Sequence, residues 1–138
     1  MKALFLSVPY FDTSYSSTRR HSDFHKAIEF MNKHEITRLV TVSHLLSPAY
    51  MWAKAALMRD EPIPVTMFML ARPSHIPESF REILYRADVR HGYPNVASMM
   101  SHAIVCGVTH LITDGDSGRI QNTALTVARN SKLIRMVA

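Results

Sequence analysis

Val108-Thr-His-Leu-Ile-Thr-Asp-Gly-Asp-Ser-Gly-Arg119 is the stretch that decides how this chain reads. Thr109 to Thr113 is a short apolar run of strand type. It passes into a turn with glycine at 115 and 118, and an amphipathic helix follows from about Ile120 to Asn130. The glycines let the backbone turn sharply and come close to a ligand. The first turn of the helix presents N–H groups and the positive end of its dipole, so the segment suits phosphate or another anion. It is neither a P-loop nor the dinucleotide fingerprint, and Asp114 and Asp116 repel phosphate unless they take ribose hydroxyls or face away. The plain alternative is an ordinary turn with a helix cap.

Outward from this segment the chain alternates strand and helix. Lys2 to Val8 reads as a buried strand, and Pro9 to Arg20 as a polar loop. Ser22 to His34 reads as a helix with Phe24, Ala27, Ile28 and Met31 at helical spacing. Thr37 to Val42 is the second strand. Ser47-Pro48 is a cap followed by proline at the first helical position, opening a helix from Pro48 to Met58. Val65 to Leu70 is the third strand. Helices from Glu78 to Ala87 and from Val96 to Cys106 are separated by the breaker His91-Gly-Tyr-Pro-Asn95, and Leu133 to Val137 closes the chain as a strand after the 109–113 strand and its helix. Strands separated by helices are joined most simply by right-handed crossovers. The expected fold is therefore α/β, a Rossmann-like three-layer sandwich with a five-stranded, mainly parallel sheet. Leu4, Leu6, Leu39, Val65, Phe68 and Leu111 are expected in the strands that form its centre.

With 138 residues, 47% hydrophobic, and no repeat or linker, residues 1–138 read as a single domain with a core of its own. The net charge of +5 favours anionic partners, and the stretch after Asp116 carries Arg119, Arg129, Lys132 and Arg135 with no acid to offset them. A single cysteine, Cys106, excludes an internal disulfide and reads as apolar packing at a helix end. No signal peptide or membrane-spanning run is evident, so a cytoplasmic location without a membrane partner is expected.

In a parallel sheet the ligand lies beyond the carboxyl ends of the strands, near the point where strand order reverses. The loops on that side are Pro9 to Arg20, Ser43 to Ser47, Ala71 to Pro77 and Asp114 to Arg119. They supply the candidate ligand-binding residues Tyr10, Asp12, Ser43, His44, Arg72, His75, Asp114, Gly115, Asp116, Ser117, Gly118 and Arg119. Phosphate would meet the 115–119 turn with Arg119 supplying charge. Asp114 or Asp116 would accept ribose hydroxyls, and Tyr10 or His44 would contact the base.

Eight histidines invite a metal reading. His21 and His25, four apart, share a helix face, but no adjacent Cys or carboxylate pattern completes a zinc site. They read as surface histidines, and no metal and no cofactor is expected. His110 reads as a hydrogen-bonded histidine of an apolar strand. His34-Glu-Ile-Thr37 and His110-Leu-Ile-Thr113 look like paired phosphoesterase motifs. Their three-residue spacing puts imidazole and hydroxyl on opposite faces of a strand, which argues against that chemistry. Tyr50, Trp52 and the methionines Met51, Met58, Met67, Met69, Met99 and Met100 read as helix–sheet packing.

The order of elements resembles the SLOG superfamily, Rossmann-like nucleotide-binding domains that include DprA-like and lysine-decarboxylase-like proteins. Lys2 to Val8 is similar to its opening strand, Ile36 to Val65 to its second strand, helix and Ile-Pro-Val lead into strand three, and Gly107 to Val137 to its glycine-loop half. Gly115-Asp-Ser-Gly118 stands where the family often has Gly-Gly-x-Gly, with Thr123 matching the Thr that follows. Two departures bear on function. Ser43-His-Leu-Leu-Ser47 has no glycine where the family has its first glycine-rich loop. Ala124 to Val127 offers no carboxylate where hydrolytic members carry a glutamate, so the resemblance implies binding more than N-glycosidic cleavage. It also implies a homo-oligomer, because related domains complete pockets between subunits.

Binding of a nucleotide or nucleotide-derived signal without turnover is thus the first expectation, as in a sensor or a sponge of the kind a phage-encoded defence inhibitor represents. Leu4-Phe-Leu-Ser-Val-Pro-Tyr-Phe11 is similar to the opening of nucleoside deoxyribosyltransferases, which keeps an N-glycosidic hydrolase or transferase as the alternative; Asp114, Asp116 or Glu82 would then be nucleophile or base. Nucleic acid is a third ligand class, and no aromatic-and-basic platform supports it.

Overall fold

Alternation along the first strand separates two faces. β1 (Lys2–Leu6) turns Ala3 and Phe5 to one side and Leu4 and Leu6 to the other, all of them at most 2% exposed. A strand apolar on both faces belongs in the middle of a covered parallel sheet. The computed structural model describes residues 1–7, 15–42, 47–69, 78–114 and 122–138, without the side chains of 78–80 and 122.

The elements follow in the order α1 (Ser17–Lys33), β2 (Arg38–Val42), α2 (Pro48–Leu57), β3 (Val65–Phe68), α3 (Glu78–Arg86), β4 (Asp88–Arg90), α4 (Val96–Val105), β5 (His110–Thr113), α5 (Asn122–Arg129) and β6 (Ile134–Val137). They build one six-stranded sheet of order β4-β3-β2-β1-β5-β6, parallel at every pairing. Helices α1, α2 and α3 cover the face that carries Ala3, Phe5, Leu39, Val65, Met67 and Ile112. On the other face α4 and α5 lie over Leu4, Leu6, Val40, Phe68 and Leu111. The α/β class, the parallel sheet and the flanking helices agree with the sequence, and all six residues expected in the central strands are at most 4% exposed there.

The strand count differs: six, not five. Asp88-Val-Arg90 is three residues with a charge at each end, too short for an alternating pattern to show in the sequence. It pairs in register with Thr66, Met67 and Phe68, and Arg90 bonds Asp88 at 3.0 Å. Charged residues on a short edge strand discourage further pairing. Helix α1 also begins at Ser17, well before Ser22. Ser16 caps it by accepting the Arg19 N–H at 3.1 Å, so its polar first turn is helical although the apolar stripe begins only at Phe24. The first strand ends at Leu6.

Helix α2 is the centre of its layer. Apart from Lys54 every residue in it is buried, which four alanines among ten residues allow by letting neighbours approach closely. Trp52, 1% exposed, stacks on Phe5 with ring centroids 4.1 Å apart and planes 12° from parallel, and Phe30 of α1 closes on it at 5.4 Å. The methionines are core residues as read, except that Met58, at the C-cap of α2, is 55% exposed.

Candidate functional site at the carboxyl ends of the strands

Strand order reverses between β1 and β5. From β1 the sheet grows through β2, β3 and β4 on one side, and the chain then returns to place β5 and β6 on the other. The crevice that a parallel sheet opens to a ligand lies at such a reversal. Leu6 and Thr113 are the last paired residues of these two strands, so Ser7 and Asp114, which follow them directly, stand at its floor. Asp114 is 7% exposed, a carboxylate held almost entirely out of water.

Ser7 ties the crevice to α2. Its Oγ accepts the backbone N–H of Ala49 at 3.3 Å, while the N–H groups of Tyr50 and Met51 donate to the Ser47 carbonyl at 3.1 and 3.4 Å. Pro48 brings no N–H, so the amides of the first turn of α2 are used within the protein, and this helix start contributes its dipole more than its donors. No acidic residue stands in the first turn of α1, α2, α4 or α5, and Arg19 and Arg20 lie at the start of α1. These four helix starts keep their positive potential, whereas α3 opens on Glu78 and carries Glu82.

Two tyrosines brace the same end. Tyr15 is 3% exposed and donates to Asp23 at 2.6 Å, fixing the segment before α1 to that helix. Tyr50 is 3% exposed, and its phenol is pushed up to about 12, first by burial and then by the charge of Glu82. It stays protonated at neutral pH, which suits a hydrogen-bond donor and not a base.

Of the residues expected from sequence to form the site, Asp114 is the one the structure places. Tyr10, Asp12, Ser43, His44, Arg72, His75, Gly115, Asp116, Ser117, Gly118 and Arg119 lie outside the described residues, in the stretches 8–14, 43–46, 70–77 and 115–121. Sequence reasoning missed Ser7, which sits inside an apolar strand pattern and whose role depends on a helix start forty residues away. It also missed Thr41 of β2, whose hydroxyl is fully buried without a hydrogen-bond partner among the described residues.

The remaining motifs resolve as follows. His110 is partly buried, and its Nδ1 lies 2.7 Å from Thr109 Oγ1. His34 packs on Phe30 with centroids 4.4 Å apart, and Thr37 donates to the Met1 carbonyl, so neither His–Thr pair forms a common phosphate site. Cys106 is only partly buried, 3.8 Å from Arg90 Nη1. Arg90 is itself held above its ordinary value, first by its hydrogen bond and charge contact with Asp88. Arg129, Lys132 and Arg135 are all exposed. His21 and His25 bring their Nε2 atoms to 2.9 Å on the exposed side of α1. A cavity of about 620 Å³ opens at the opposite end of the sheet, lined in part by Lys33, His34, Glu35, Arg59 and Glu61. Its charges are of both signs and it lies away from the reversal of strand order, so it is the weaker candidate.

Among the described residues no group of three or more His, Cys, Asp or Glu is arranged to hold a metal ion, and no helix is long and apolar enough to cross a membrane. Comparison of the chain with known protein families, with curated proteins and with solved structures finds no match.

Proposed function

We propose that this chain binds a nucleotide or nucleotide-derived ligand across the carboxyl ends of β1 and β5 and holds it without turnover. The observation that carries this reading is the reversal of strand order between those two strands, with Ser7 and the nearly buried carboxylate of Asp114 at its floor. The acid-free starts of α1, α2, α4 and α5 and the net charge of +5 favour an anionic ligand. In this arrangement Asp114 accepts ribose hydroxyls, and the segment after it, through Arg119, receives phosphate. The resemblance of the element order to SLOG domains, read from the sequence, points to the same ligand class.

Asp114 also favours a second reading. A carboxylate sequestered at the place a sugar would occupy is what a nucleophile in N-glycosidic hydrolysis or transfer requires. A thermal-shift screen of mono-, di- and cyclic nucleotides, followed by mass spectrometry of each mixture, separates the two. Ligand at a hundredfold excess over Kd stabilises the fold by about 2.7 kcal/mol, which a melting curve resolves. Stabilisation without products is the expected result, and no stabilisation by any nucleotide overturns the proposal. Release of free base that Asp114→Asn abolishes transfers the assignment to the enzyme.

A further inference from the structure

His21 and His25 stand one turn apart on α1, both exposed, with their Nε2 atoms 2.9 Å from one another. Their ring centroids are 4.3 Å apart, farther than the nitrogens, so the two rings converge on their nitrogen edges. His25 lies edge-on to Phe24 with centroids 6.0 Å apart, and Lys54 of α2 lies over that phenyl ring. The geometry points to a two-histidine chelate for a divalent transition-metal ion on the exposed side of α1.

The bite distance suits a cis chelate, and intrinsic affinity ranks the metals. With metal–nitrogen bonds of about 2.0–2.1 Å, two donors 2.9 Å apart subtend about 90° at the ion, whereas a tetrahedral angle would need about 3.3 Å. The same cis arrangement puts the ring centroids about 4.5 Å apart, close to the 4.3 Å found here. An angle near 90° belongs to tetragonal and octahedral coordination, and hence to Cu²⁺ and Ni²⁺ ahead of Zn²⁺, the order in which Cu²⁺ also leads by intrinsic affinity. In the metal-free chain one nitrogen donates to the other. On binding, the donating ring moves its proton from Nε2 to Nδ1, so each neutral imidazole offers an Nε2 lone pair to the ion, and water fills its other positions. Arg19 and Arg20 precede the pair and, with Lys54 over Phe24, oppose a cation, while Glu29, one turn beyond His25 on the same side of the helix, offsets them in part.

The test is calorimetric titration of the tag-free protein with Cu²⁺ alone, paired with electron paramagnetic resonance of the loaded sample. The expected result is one preferred site per chain with two nitrogen ligands, binding Cu²⁺ more tightly than Ni²⁺ and Ni²⁺ more tightly than Zn²⁺. His21→Ala and His25→Ala should each weaken Cu²⁺ on the order of a hundredfold, since the second nitrogen of a chelate binds at high effective concentration. His91→Ala, elsewhere on the surface, should bind like the unaltered chain. Full Cu²⁺ affinity in both single variants, one nitrogen in the spectrum, or Zn²⁺ bound as tightly as Cu²⁺ overturns the proposal. Because these sites are on an exposed helix face, circular dichroism is expected to show both variants folded.

Discussion

Replacing Trp52 with alanine tests the packing on which the crevice stands. Trp52 is 1% exposed, lies flat on Phe5 of β1 at 4.1 Å and touches Phe30 of α1, so one side chain joins the sheet to two helices. A buried Trp removes about 200 Å² from water, worth about 5 kcal/mol at 25 cal/mol per Å², as an upper figure because the unfolded chain already hides part of that surface. Alanine recovers a small part of this, and the helix cannot collapse fully onto Phe5. Aromatic-to-alanine changes in cores cost about 3–5 kcal/mol, so about 4 kcal/mol is expected here. For a chain of this length that is a fall in Tm of roughly 15 °C. Trp52 is the protein's single tryptophan, so urea unfolding must be followed by far-ultraviolet circular dichroism. Trp52→Phe, which keeps an aromatic face on Phe5, should lose well under half as much. A cost below about 1 kcal/mol for Trp52→Ala would refute the buried position of α2.

Thr41→Val should stabilise the protein by about 1 kcal/mol, because it removes a buried hydroxyl with no hydrogen-bond partner among the described residues and keeps its shape; a loss of stability in urea would show that the hydroxyl is bonded. The Tyr50 phenol, raised in the folded state from 10.0 to about 12, gives stability that is fully present below pH 10 and is lost as pH rises through the folded value. Unfolding at pH 8 and at pH 11–12 should therefore show a decline of about 1.5–2 kcal/mol in the unaltered chain that Tyr50→Phe lacks. Ser16→Ala and Asn95→Ala remove side-chain acceptors for the Arg19 and Ser98 amides at 3.1 and 2.8 Å. Each should cost about 1 kcal/mol in chemical denaturation, and a change below 0.3 kcal/mol or so would discount the cap.

Local chemistry was readable from the chain and long-range pairing was not. Ser47-Pro48 announced the start of α2, and the two-sided apolar run from Ala3 to Leu6 announced a covered parallel strand. Asp88-Val-Arg90 could not announce β4, since only its register with β3 makes it a strand. The early start of α1 was hidden because its first turn is polar and its apolar stripe begins later. The position of Asp114 at the mouth of β5 was legible, but its partner strand was not: that β5 lies beside β1, and so brings Ser7 to the same floor, is a property of strand order. The four-residue spacing of His21 and His25 showed a shared helix face, whereas the convergence of their nitrogens depends on side-chain rotamers that spacing does not specify.

The proposed function requires an anionic nucleotide to bind where strand order reverses. Backbone amide nuclear magnetic resonance during titration with the nucleotide that stabilises the fold best, or with ATP and a cyclic dinucleotide if none does, tests it most directly. Shifts are expected to concentrate at Ser7, Ala49 and Asp114 and to leave Lys33, Arg59 and Thr109, at the opposite end of the sheet, in place. Shifts confined to Lys33 and Arg59, or no shifts with any of these ligands, would contradict it.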